Sequence, residues 1–81
     1  MKLLNEMAKV QVKLASEKIK IHENRIKEAE SIEKYKLENG KFDTEYYQVQ
    51  AIIQVNREDV KYWLGVLNTS KPVLEYTNKY L

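Results

Sequence analysis

The first 38 residues contain neither glycine nor proline, and Asn39-Gly40 follows them at once. That single interruption constrains the chain more than any other feature. The segment before it is rich in Lys, Glu, Ala, Leu and Ile, most of them good helix formers. Gly readily takes the left-handed conformation that ends a helix, and Asn is next best. Beyond the break, Asp43 or Thr44 supplies an N-cap for a second helix. With Asp43 as the cap, Phe42 and Tyr47 take hydrophobic-staple positions. Tyr46 to Val55 contains β-branched and aromatic residues, but its flanks and caps favour helix. A second break is signalled at Thr69-Ser70-Lys71-Pro72. Pro72 lacks the amide hydrogen needed inside a helix but fits a first turn.

These signals predict one all-α domain, a long antiparallel helical hairpin resembling a coiled coil. Helix 1 is expected at about 2–38, a turn at 39–43 and helix 2 at about 44–68. A short C-terminal helix at about 71–80, or a kink at Pro72, should follow. The first arm would be about 55 Å long at 1.5 Å per residue.

Apolar and small residues in the first arm fall at Ala8, Val12, Ala15, Ile19, His22, Ile26 and Ala29. The alternating steps of four and three form a heptad rhythm. The second arm repeats it at Val49, Ile53, Asn56, Val60, Trp63 and Leu67. One register sets Ala15 near Leu67 and Ile19 near Trp63. A second, slipped by a turn, sets Ala15 against Trp63 and His22 against Asn56. Chain geometry at the turn favours the first; matching of small with large and polar with polar favours the second.

A further apolar stripe stays outside this seam. Leu3, Met7, Val10, Leu14 and Ile21 lie on another face of the first arm. Ala51, Val55, Tyr62, Val66, Val73, Tyr76 and Tyr80 are spare on the second. One hairpin does not cover both stripes, and uncovered apolar stripes mark partner surfaces. Self-association into a dimer or larger helical bundle is the economical expectation. The candidate interface residues are therefore Leu3, Met7, Val10, Leu14, Ile21, Val55, Tyr62, Val66, Tyr76 and Tyr80. A packed C-terminal segment folding over the stripe is the alternative.

Chemistry has few places to reside. The chain has no cysteine, one histidine and only two glycines. That excludes a disulfide scaffold, a thiol nucleophile, a zinc finger and a glycine-rich phosphate loop. His22 stands at a seam position and reads as a packed, hydrogen-bonded residue. Glu23 is adjacent to it, but neighbouring residues diverge on a helix, so no metal pair results. Asn56 either specifies register, as buried Asn does in coiled coils, or sits wet at the seam edge. No cofactor, metal or catalytic residue is expected.

Lys13, Lys20, Lys27 and Lys34 recur every seven residues. Glu23 precedes Lys27 by four and Glu30 precedes Lys34 by four, the spacing of intrahelical ion pairs. The stripe reads as a solvated, mixed-charge face. Seven of the eight aromatics are Phe42, Tyr46, Tyr47, Tyr62, Trp63, Tyr76 and Tyr80, all in the second half. Tyr and Trp are favoured in interface hot spots. They also stack on bases, but a net charge of +2 supplies a thin basic surface for that.

The expectation is a non-enzymatic helical interaction or assembly protein that self-associates and binds a protein partner. The alternative is a nucleic-acid or small-nucleotide binding module built from Lys, Arg and Tyr at a subunit interface. No membrane association is expected, since no apolar run approaches the ~18–20 residues of a span. Asn5 and Glu6 interrupt any signal-peptide core, which points to the cytoplasm. Lysine outnumbers arginine 12 to 2, and Ile, Asn and Tyr are common. Their AT-rich codons suggest a low-GC bacterium or a phage within one, and an accessory inhibitor or assembly factor fits that setting.

Overall fold

The computed structural model describes residues 1–81 as two helices, α1 (Lys2–Glu38) and α2 (Thr44–Asn78), with no strand. They lie side by side and antiparallel in a rod 59 Å long and 13–14 Å across. The hairpin follows from the local chemistry of residues 36–46. Gly40 takes a left-handed φ of +63° just after the α1 C-cap residue Asn39. The Asn39 side-chain amide donates to the Tyr35 carbonyl at 2.7 Å. Asp43 caps α2 by accepting from the Tyr46 amide at 2.9 Å. Phe42 does not staple onto Tyr47. It packs edge-on against Tyr46, ring centres 5.2 Å apart, because Tyr46 is the residue that turns into the seam.

The seam is lined by the residues of the heptad rhythm, all of them buried or half-buried. Ala8, Ala15, Ala29, Val49 and Ile53 are its buried apolar members, joined by Tyr46 at the turn. The rhythm continues to both ends through polar residues. Asn5 and Thr77 are buried at the open end and Lys36 at the turn end. Both sequence registers have a counterpart. Asn5 pairs with Thr77, which extends the first, whereas His22 pairs with Asn56, as in the second. Ala29 clusters with both Val49 and Ile53, one turn apart. A residue of one helix thus sits between two of the other, as knobs-into-holes packing requires.

No separate C-terminal helix forms. α2 continues unbroken from Thr44 through Pro72 to Asn78. A proline inside a helix forfeits one backbone hydrogen bond and costs about 3 kcal/mol. Two features hold the helix past it. Pro72 is exposed, seven residues before the equivalent position of Lys79 and opposite the seam, so its ring does not disturb interhelix packing. Leu74 and Thr77, beyond it, pack onto α1, and the Thr77 hydroxyl is wholly buried against Asn5.

Candidate interaction surface

Three polar clusters divide the seam, at its two ends and its middle. At the open end the Asn5 amide donates to Thr77 Oγ1 at 2.9 Å and to Asn78 Oδ1 at 2.7 Å. At the turn end the Lys36 ammonium donates to both Asp43 oxygens at 3.0 Å and lies 3.8 Å from Glu45. That bond, with the Tyr46 amide, holds the Asp43 carboxyl below its usual range. Midway, His22 Nδ1 donates to Asn56 Oδ1 at 2.7 Å and approaches Asp59 at 3.6 Å. The donor role follows from Asn56, whose Nδ2 is committed to the Ile52 carbonyl at 2.8 Å. His22 and Asn56 thus meet across the seam. None of these clusters holds an activated nucleophile. No group of three His, Asp or Glu side chains is placed to share a metal ion.

The two broad sides of the hairpin differ sharply. In an antiparallel pair, the residues immediately preceding the seam residues share one side, and those following them share the other. On α1 the preceding residues include Leu4, Met7, Leu14, Ile21, Ile32 and Tyr35. On α2 they include Ile52, Val55, Tyr62, Val66, Val73 and Tyr76, and Tyr80, just past the helix, lies against Tyr76. The following residues are charged or polar except Leu37, Tyr47 and Leu64, plus Ser16 as a small one. The structure has this sidedness in its grooves. Leu4, Met7 and Gln11 of α1 share one groove with Thr69 and Val73 of α2. On the other side Gln50, Gln54 and Arg57 line a groove whose floor is Glu33 and Ile53 of the seam.

Among the candidate interface residues, Met7, Leu14, Ile21, Val55, Tyr62, Val66, Tyr76 and Tyr80 lie on the apolar side. All are exposed except Val66, which is half-buried. Leu3 and Val10 are exposed too, but point away from the seam along the outer edge of α1. Leu4, Ile32 and Ile52 join the apolar side without having been singled out from the sequence. The signal for them was available: each immediately precedes a seam position. Aromatic rings there pair within the chain, Tyr62 edge-on to Trp63 at 5.0 Å and Tyr76 tilted on Tyr80 at 4.9 Å.

The polar side differs in detail from the sequence expectation. Neither Glu23 with Lys27 nor Glu30 with Lys34 closes an ion pair. Glu30 instead reaches across the seam to Arg57 at 3.9 Å. The long Arg side chain on the same edge of α2 draws the carboxylate between the helices rather than along one.

No protein-family model, curated protein or solved structure matches this chain. No helix is long and apolar enough to cross a membrane.

Proposed function

We propose that this is a non-enzymatic helical assembly protein that self-associates through its apolar side and presents adjoining aromatic surface to a protein partner. The observation that carries the reading is the one-sided exposure of large apolar residues. Tyr62 is 64% exposed and Met7 56%, although the seam beside them already buries or half-buries Ile19, Ile26, Val49, Ile53, Trp63 and Leu67. A compact monomer of 9.6 kDa exposes about 5,100 Å² by the usual size scaling. This chain exposes 6096 Å². The excess is of the same order as the ~800 Å² that each partner gives to a standard interface. The Lys-rich, Arg-poor composition supports a low-GC bacterium or its phage as the source, where the chain would serve as a cytoplasmic accessory inhibitor or assembly factor.

Light scattering coupled to gel filtration across a concentration range tests the self-association. A dimer or larger is expected. Val66→Asp should raise its dissociation constant at least about tenfold, because an unpaired charge in an apolar interface costs more than ~1.4 kcal/mol. Tyr62→Ala should weaken it as well. A wild-type chain that stays monomeric at high concentration would overturn the reading, as would variants that assemble unchanged.

A further inference from the structure

Resting on that reading, we infer that the occupant of the apolar side is a second copy of this chain, packed face to face with both hairpin turns at the same end. Two two-fold arrangements make a four-helix bundle from two such faces. In one, the turns lie together and α1 of each copy crosses onto α2 of the other. In the other, the turns lie at opposite ends, α1 stacks on α1 and α2 on α2. All neighbouring helices are antiparallel in both, so helix direction does not choose between them.

Charge does. The α1 half of the face carries Lys18 and Arg25 against one acid, Glu28. The α2 half carries Glu45 and Asp59 and no base. Lys18 and Arg25 lie near mid-length of α1, and Asp59 near mid-length of α2. Turns-apart packing would bring the central bases of both copies together, and the two Asp59 carboxylates likewise. Turns-together packing sets Arg25 of each copy at nearly the level of Asp59 of the other. Like charges apposed in an interface are strongly selective against a geometry.

The apolar distribution agrees. The open end is the richer one, with Leu4, Met7, Val73, Tyr76 and Tyr80. Turns-together packing lays that end on its own copy, with α2 tyrosines over aliphatic α1 side chains. Turns-apart packing would set Leu4 and Met7 on Ile32 and Tyr35, but would lay Val73, Tyr76 and Tyr80 on Glu45 and Gln48. The size is sufficient as well. A face 59 Å by about 14 Å offers roughly 800 Å² per chain, the amount a standard interface uses.

The chain has no cysteine, so a single introduced thiol gives a unique spin label. Glu38→Cys places one at the turn end and Lys79→Cys one at the open end, both exposed and off the face. Double electron–electron resonance on each variant reads the distance between the copies. Turns-together packing predicts about 35 Å or less at both sites, because interaxial spacings of 8–10 Å put like helices about 14 Å apart across the bundle diagonal and two outward label arms add to that. Distances near or above the 59 Å length of the rod at both sites would overturn the orientation while leaving self-association standing. Absence of dipolar coupling at either site, with a monomer mass by light scattering of the same samples, would overturn self-association and the orientation together.

Discussion

Asn5 and Thr77 offer the sharpest test of how the hairpin is held at its open end. Asn5 is 1% exposed and Thr77 fully buried. The two amide hydrogens of Asn5 go to Thr77 Oγ1 and Asn78 Oδ1. The Thr77 hydroxyl donates back to its own helix, 2.8 Å from the Val73 carbonyl and 3.2 Å from that of Leu74. Thr77→Val keeps the shape and deletes Oγ1, so one Asn5 hydrogen is left buried without an acceptor. A stranded donor costs about 1–3 kcal/mol. At about 4–8 °C per kcal/mol for a domain of this size, Tm should fall by at least several degrees. Asn5→Leu strands less, because Thr77 keeps its carbonyl partners and Asn78 faces water. The double variant Asn5→Leu with Thr77→Val replaces both partners by apolar groups, a change that is often nearly neutral. The cycle should therefore be non-additive, with a coupling of about 1–2 kcal/mol. Urea unfolding followed by far-ultraviolet circular dichroism measures it, at one fixed protein concentration because association adds to apparent stability. A Thr77→Val variant as stable as wild type would refute the reasoning. So would a double variant less stable than Thr77→Val alone.

Two further outcomes follow from the turn and the proline. Lys36 and the Tyr46 amide hold the folded-state pKa of Asp43 below the ordinary carboxylate range, so the ionised carboxylate contributes stability that is complete above the unfolded pKa. That contribution should be lost as pH falls below about 4, through the depressed folded value; Asp43→Asn should flatten the acid limb of a Tm-against-pH profile, and an unchanged limb would remove Asp43 as its source. Pro72→Ala restores the amide that α2 lacks there, so Tm should rise by an amount corresponding to as much as ~3 kcal/mol; a melt unchanged or lowered would show that the proline is compensated in a way the continuous helix does not reveal.

The hairpin itself was legible because two local signals agreed. The Asn39-Gly40 break and the Asp43 cap placed the turn, and the four–three rhythm placed the seam. What the sequence obscured had two physical sources. Pro72 reads as a stop because local propensity disfavours it, yet tertiary contacts made by Leu74 and Thr77 outweigh that penalty. Asn5, Lys36 and Thr77 were missed because the rhythm was followed only between its outermost apolar members. Continuing the rhythm past its last apolar member would have placed all three. The register looked like a choice only when treated as residue opposite residue. Packing of one side chain between two on the facing helix lets Ala29 meet Val49 and Ile53 together. The apolar side needed one more step, the antiparallel direction of α2. Only then do Ile32 and Ile52, each preceding a seam residue, fall on the same side as Leu4 and Met7.

The distribution of side-chain size suggests a division of labour between seam and face. Ala8, Ala15 and Ala29 are small members of a seam whose larger apolar residues, such as Ile19, Ile26, Trp63 and Leu67, are only half-buried by one hairpin. The three polar clusters add less energy than large aliphatic residues would. A buried ion pair or amide is weak as a source of stability but effective at fixing which partner lies where. Asn5 with Thr77, His22 with Asn56 and Lys36 with Asp43 pin the two helices at both ends and the middle. Any sliding by a turn would strand buried polar groups in all three places. The large residues that a monomer would be expected to bury stand instead on the outer side: Met7, Leu14, Ile21, Tyr62, Tyr76. Hydrophobic burial scales with area removed from water, at about 25 cal/mol per Å², so most of the unspent driving force of this chain lies on that side. A seam that fixes alignment beside a face that leaves large side chains in water is what the proposed dimer calls for, with alignment settled within one copy and more apolar surface buried by the other.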